Sequence, residues 1–390
     1  MLRIGIVGIG NMGSAHAVQL AEGRVGSACL AAVCDCSPER LAWAAQRFGT
    51  ALAQYRDYRQ MLTEGRLDAV LIATPHKLHP PMACDAFEKG LAVLTEKPAG
   101  IDIVNVEKMN RAAAASGRPF GIMYNQRTNP LFQKLRSLVR DGTLGEIKRF
   151  VWIVNNWYRT QAYYDSGDWR ATWNGEGGGV LLNQCPHNLD IWQWILGMPK
   201  SVQAFCREGR YHRISVEDDA VIYGEYENGA TALFVTSTGE YPGTNRLEIS
   251  GTRGKAVAED GELNLYLLEQ DERRLCAEST EGMPRIPVHV SRISQVETGS
   301  GHLIILQNFT NHILRGEPLL APGAEGINGL MLSNAAYLSS WKNSRVELPL
   351  DGQEFLTFLH KRQSQEAVPS KTAVRENLTG EYQDRWRVNW

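Results

Sequence analysis

Apolar and polar positions along the first hundred residues alternate between two periods. "LRIGIVGIG" (2–10) is a continuous apolar run, as a strand buried on both faces requires, and "NMGSAHAVQLAEG" (11–23) follows with helical spacing and a small-residue start. "CLAAVCD" (29–35) reads as a second strand. "SPERLAWAAQRFG" (37–49) reads as a helix with Ser37 as N-cap, Pro38 in the first turn and Gly49 at its end. "DAVLIATP" (68–75) and "LAVLTEKP" (91–98) are further buried strands, joined by a helix over "HPPMACDAFEKG" (79–90). Strands alternating with helices of this length predict βαβ units on a parallel sheet.

Past residue 123 the period changes. "EIKRFVWIVNN" (146–156), "SVQAFCREG" (201–209), "AVIYGEYENGATALFVTST" (220–238) and "NRLEISGTRGKAVAEDGELNLYLLE" (245–269) read as longer strands joined by turns such as Glu-Asn-Gly and Glu-Asp-Gly. Helical segments near 129–141, 185–197, 302–315 and 325–342 would cover one face of the sheet they form. The expected architecture is α/β: a doubly wound parallel sheet over 1–123, then an α/β unit over 124–390 with an open, mainly antiparallel sheet. The uncovered face would carry Val221, Tyr223, Leu233 and Val235, and burying it against a second copy predicts a homodimer or homotetramer. The polar tail from about 363 carries Tyr382, Trp386 and Trp390, which suit a docked segment.

Gly8, Gly10 and Gly13 form GxGxxG between the first strand and the first helix. Such glycines allow a tight turn, close backbone approach to a pyrophosphate and close helix packing. Asp35 closes the second strand about 20 residues on, where a carboxylate can hold ribose hydroxyls, so the motif reads as a dinucleotide site. Asp35 repels a 2′-phosphate, which favours NAD over NADP; Ser37 and Arg40 nearby moderate the preference.

Ligands bind outside the carboxyl ends of strands in such sheets. Glu96 and Lys97 end one strand there, and Thr74 and Pro75 end another, with His79 following. A desolvated lysine beside a cofactor can have a lowered pKa and relay a proton to a substrate oxygen. The second constellation is "GEGGGVLLNQCPHNLDIWQWILG" (175–197), where Asn183, His187 and Asp190 recur four and three residues apart. On one continuous helix they would share a face, with His187 placed as a base for a hydroxyl proton. Upstream, the loop "NNWYRTQAYYDSGDWRATWN" (155–174) gathers Trp157, Tyr158, Arg159, Tyr163, Tyr164, Trp169, Arg170 and Trp173. Aromatic faces among hydrogen-bond donors suit a sugar, although such loops also pack aromatics against one another.

Composition narrows the classes. The chain has 390 residues, 43% of them hydrophobic, enough for two domains. Its 41 basic and 43 acidic residues give a formal charge of −2, with no basic cluster, which argues against nucleic acid as a partner. Seven scattered cysteines without metal-ligand spacing predict no metal site and a reducing compartment. The glycine-punctuated N-terminus is too short an apolar run for a signal peptide or membrane span. The expectation is a soluble cytoplasmic protein.

These motifs together resemble the glucose–fructose oxidoreductase / inositol dehydrogenase / rhizopine-catabolism (Gfo/Idh/MocA) family. The resemblance is carried by GIGNMG (8–13), "IATPHKLH" (72–79), "EKP" (96–98) and "GGGVLLNQCPHNLD" (177–190). It implies a Rossmann domain, an open-sheet C-terminal domain and NAD(P)-dependent redox chemistry on sugars and polyols. It carries the family's lysine onto Lys97 and its catalytic histidine onto His187. Cofactor contacts would fall on Gly8, Gly10, Asn11, Met12, Asp35, Thr74, Pro75, His79, Glu96, Lys97, Asn125, Trp169 and Arg170. Substrate contacts would fall on Lys97, Tyr158, Arg159, Asn183, His187 and Asp190. One departure matters: many polyol dehydrogenases of the family carry Asp where this chain has Asn183, and an amide cannot stabilise an imidazolium as a carboxylate does. That shifts proton transfer toward Lys97.

Three functions fit. The first is an NAD-dependent dehydrogenase acting on a secondary hydroxyl of a sugar, glycoside or cyclitol. The second is an NAD-dependent glycosidase working by transient oxidation, elimination and re-reduction, and the third is a non-catalytic NAD-binding regulator.

Overall fold

The computed structural model describes residues 1–294, 300–367 and 371. Tyr382, Trp386 and Trp390 lie outside the described residues. The first sheet has six parallel strands, β1 (Leu2–Val7), β2 (Ala28–Cys34), β3 (Ala53–Tyr55), β4 (Ala69–Ile72), β5 (Ala92–Thr95) and β6 (Phe120–Ile122), in the order β3-β2-β1-β4-β5-β6. The order reverses between β1 and β4, and a crevice opens beyond their carboxyl ends.

The crossover helices are α1 (Asn11–Ala21), α2 (Pro38–Phe48), α3 (Tyr58–Glu64), α4 (His79–Glu88) and α5 (Ile103–Ser116). Local chemistry sets their ends as the sequence predicts for α2: the Ser37 side chain accepts from Arg40 N, Pro38 opens the first turn, and Gly49 leaves the helix at φ +85°. The helix α5 was not expected; Asp102 caps its start and left-handed Gly117 ends it.

The second sheet contains nine strands: β7 (Ile147–Val154), β8 (Ser201–Glu208), β9 (Glu217–Glu225), β10 (Thr231–Ser237), β11 (Asn245–Gly251), β12 (Gly254–Glu259), β13 (Glu262–Leu268), β14 (Val288–Ser294) and β15 (Val346–Glu347). Their order is β14-β13-β12-β11-β7-β10-β9-β8-β15, and among the described residues only β7 and β10 pair in parallel. The remaining helices are α6 (Pro130–Arg140), α7 (Gln161–Asp165), α8 (Val180–Asn183), α9 (Pro186–Leu196), α10 (Glu272–Glu278), α11 (Gly301–Arg315), α12 (Gly326–Lys342) and α13 (Gly352–Gln365).

Alternation along β7, β9 and β10 puts Phe150, Trp152, Ile222 and Phe234 under α9 and α12 and leaves Val151, Val221, Tyr223, Leu233 and Val235 less covered. Trp192 of α9 stacks between Phe150 (5.7 Å) and Phe234 (6.1 Å), fixing that helix on the sheet. The last part of the chain returns to the first sheet: Gln307 of α11 accepts from Gly26 N at 2.6 Å, and α12 and α13 pack on α5. Among the described residues no helix is long and apolar enough to cross a membrane.

Candidate active site

One cavity of about 920 Å³ runs from the glycine turn and Asp35 to Lys97 and His187. At the first end, Gly8 has φ +84°, and a Cβ there would lie 2.7 Å from Ala73 O; one on Gly13 would strike Gly8 O at 1.8 Å. Packing therefore dictates both glycines. Gly10 differs, because a Cβ there would meet only an Arg40 nitrogen, at 3.9 Å. Its bare face opens onto the cavity beside the first turn of α1, where no side chain caps the backbone N–H groups. The Asp35 carboxylate is oriented by Ile9 N and Ser37 N, each donating at 2.9 Å. Arg40 and Arg56 line the same mouth. Further in, the buried Oδ1 of Asn125 has no hydrogen-bond partner among the described residues. A bare glycine turn, an open helix N-terminus, the oriented Asp35 carboxylate and the buried Asn125 amide oxygen are groups that fit a nicotinamide dinucleotide.

At the other end, Glu96 and Lys97 close β5. Burial alone would raise the Glu96 carboxyl, but the 2.8 Å hydrogen bond and charge of His16, with His302 and Lys97, hold it down at about 2. Lys97 Nζ donates to Asn183 O at 2.9 Å. Burial lowers the Lys97 pKa, and the carboxylates of Glu96 and Glu176 partly restore it. Burial, then the Lys97 charge, push His187 well below the usual histidine value. The Asn183 amide donates to the Glu176 carboxylate, which also accepts from Ala171 N at 2.7 Å. Glu176 is 1% exposed and raised by burial, against the pull of Arg170, its two N–H donors and Lys97.

The aromatic loop closes this end. The Arg170 guanidinium lies 4.6 Å over Trp169 and 4.8 Å over Tyr163 and bonds the Tyr163 hydroxyl at 3.1 Å. Gln184 also donates to that hydroxyl, at 3.2 Å. Behind the loop, Glu366 accepts from Trp173 N and Asn174 N, and Lys371 donates to Gly167 O and Arg170 O.

Gly8, Gly10, Asn11, Met12, Asp35, Thr74, Pro75, Glu96, Lys97, Asn125, Arg159, Trp169, Arg170, Asn183 and His187 all line this cavity. Three expected residues do not. His79 is fully buried, its ring nitrogens against Pro98 O (2.8 Å) and Thr74 O (2.7 Å), so it ties two strand ends together behind the cavity. Asp190 does not share a face with Asn183 and His187: α8 stops at Asn183, α9 starts at Pro186, and Asp190 forms a buried bidentate pair with Arg127 (2.7 and 2.8 Å). Tyr158 is 47% exposed and turns into a neighbouring cavity, whereas Trp157 and Arg159 reach the main one. Conversely, His16, Glu176, Gln184 and His302 belong to the site or its support without having been singled out. Gln184 and Glu176 lie inside the quoted glycine-rich motif, which offered a signal. His302 comes from α11, and nothing local connects it to Lys97.

Residues 2–124 match the family described as an oxidoreductase family with an NAD-binding Rossmann fold, and residues 132–257 match the GFO/IDH/MocA C-terminal domain. The chain belongs to the Gfo/Idh/MocA family. Among its relatives, myo-inositol 2-dehydrogenase of Thermotoga maritima is 23% identical over 354 residues, covering 89% of this chain and 98% of the relative. D-glucoside 3-dehydrogenase of Escherichia coli is 25% identical over 336 residues, covering 82% and 90%. The crystal structure of the WlbA dehydrogenase from Bordetella pertussis in complex with NADH and UDP-GlcNAcA matches with a TM-score of 0.74 and 27% identity over 90% of this chain and 99% of that one.

Proposed function

We propose that this family member is an NAD-dependent dehydrogenase oxidising a secondary hydroxyl of a neutral sugar, glycoside or cyclitol. The observation that carries the reading is the single cavity joining the glycine turn and Asp35 to half-buried Lys97 and buried His187. The relatives that oxidise myo-inositol and glucosides support the substrate class. The nicotinamide, when bound, supplies the hydride acceptor. Lys97, whose burial favours its neutral amine, takes the hydroxyl proton, with Asn183 O holding Nζ in place. Neutral His187 lines the same end and offers a second hydrogen-bonding group to the substrate. The Glu176 carboxylate takes the N–H side of the Asn183 amide, which leaves Oδ1 as the acceptor presented by that side chain.

The test is a panel of sugars, cyclitols and glycosides with NAD and NADP, reading NADH absorbance and released product together. Net NADH is expected, and Lys97→Met should lower turnover by about 10²–10⁴-fold with fold and NAD affinity kept. Glycosidic cleavage without net NADH would replace this reading with the redox-assisted glycosidase. Tight NAD binding with no turnover on any substrate would leave a regulator.

A further inference from the structure

A second cavity of about 280 Å³ adjoins the main one, and Trp157 and Arg159 form a wall common to both. Its far side is the turn from β10 to β11, with Glu240 and Tyr241. Because β7 and β10 run parallel, the chain beyond Val154 and beyond Ser237 leaves the same sheet edge side by side. The two segments are bound together. Arg159 N donates to Thr238 O and Asn155 N to Thr244 O, both at 2.9 Å, and the Asn155 amide donates to Glu240. A Cβ on Gly243 would lie 2.3 Å from Asn155 O, so backbone meets backbone there. On this fixed frame stand two rings that no core holds: Tyr158 is 47% and Tyr241 84% exposed, with centroids 5.9 Å apart at 61°.

We infer that this cavity is a subsite for a second, uncharged ring carried by the substrate, which makes the preferred substrate a ring-bearing glycoside rather than a free monosaccharide or cyclitol. The inference rests on the sugar-oxidising reading for the ring beside Lys97. Trp157 and Arg159 line both cavities, which therefore lie side by side, so a ligand long enough to pass these two residues would reach from one into the other. The tyrosine faces suit a ring, and Glu240 accepts from its hydroxyls. One carboxylate opposite one guanidinium leaves no surplus positive charge for a diphosphate substituent, and Arg159 Nη1 already donates to Trp157 O and Tyr158 O at 3.1 Å.

The experiment compares myo-inositol, methyl β-D-glucoside, cellobiose and phenyl β-D-glucoside on the wild type and on Tyr241→Ala and Tyr158→Ala. It reads kcat/KM with NAD and, independently, calorimetric affinity for the NAD-saturated protein. Cellobiose and phenyl glucoside should bind at least fivefold more tightly than methyl glucoside. Tyr241→Ala should remove roughly five- to tenfold of that through KM, with methyl glucoside within twofold of its wild-type value. Binding discrimination without oxidation of any glycoside would leave the subsite standing and remove the dehydrogenase reading. Equal affinity for methyl and ring-bearing glycosides, no measurable affinity for any ring-bearing glycoside, or equal losses on all ligands in both variants would overturn the subsite.

Discussion

Asn183 stands where an acid would make a carboxylate–histidine pair, yet a carboxylate is present one step behind it. Glu176 takes the Asn183 amide and faces the Lys97 charge, so its negative charge acts on the lysine rather than on His187. In the proposed reaction Lys97 takes the hydroxyl proton as a neutral amine, so the oxidation rate should rise with pH through the Lys97 pKa, which burial sets below the ordinary lysine value. Glu176 opposes that lowering. Glu176→Gln should consequently move the acid limb of kcat/KM to lower pH, by about one unit, and Glu176→Asp should move it less. A uniform loss at every pH with the limb unmoved would reduce Glu176 to a packing role. Asp35 permits a parallel argument at the nucleotide end. Its carboxylate shares the cavity lining with Arg40 and Arg56, which would otherwise favour a 2′-phosphate. Asp35→Ser should therefore narrow the NAD over NADP preference by about tenfold or more in a fluorescence titration; a wild type that prefers NADP would refute the assignment.

At the level of elements, the buried strands and amphipathic helices were legible because a strand covered on both faces must be continuously apolar and a helix on a sheet must repeat near 3.6 residues. All four helices expected in the second unit are present, as α6, α9, α11 and α12. The strand β14 was not legible; its residues are almost all exposed at the sheet edge, so burial imposed no pattern on them. The cavity lining was legible where its residues are local in sequence, as in the glycine turn and Glu96–Lys97, and was not where a side chain's partner comes from far along the chain. Asp190 looked like a site residue because its partner, Arg127, lies 63 residues away in sequence. That pair fastens α9 to the turn carrying Asn125, and Glu325 adds a third charge from the start of α12. Burial opposes the Arg127 charge, but the hydrogen bonds and charge of Asp190 and Glu325 hold its pKa above the usual value. Asp190→Asn should cost about 3–5 kcal/mol in denaturant unfolding, since it leaves a buried guanidinium short of charge. Turnover per folded molecule should stay near wild type; a large fall in turnover with stability intact would return Asp190 to the active site.

For the whole molecule, one face of the second sheet is the apolar surface that the described residues leave least covered. Cross-strand register lines up Phe205, Val221, Val235 and Ile153 in one row across β8, β9, β10 and β7, and Tyr223, Leu233 and Val151 in the next. Phe205 is 48% and Tyr223 38% exposed. Toward β11 and β12 the apolar rows give way to Arg246 and Glu248, paired with Glu259 and Lys255. An apolar centre with a charged flank is the composition of an interface, and a second copy turned by a two-fold axis would lay one such face on the other. A stable association of this kind must remove on the order of 1,000 Å² or more from water, which several strands together can supply. The glycine turn and Asp35 belong to the other sheet, so nucleotide binding does not depend on this face. Sedimentation at micromolar concentration should therefore show a dimer or tetramer of the 43.4 kDa chain. Phe205→Arg with Tyr223→Arg should shift it to single chains that still bind NAD. A wild type already running as a single chain would show that this sheet face stays in water.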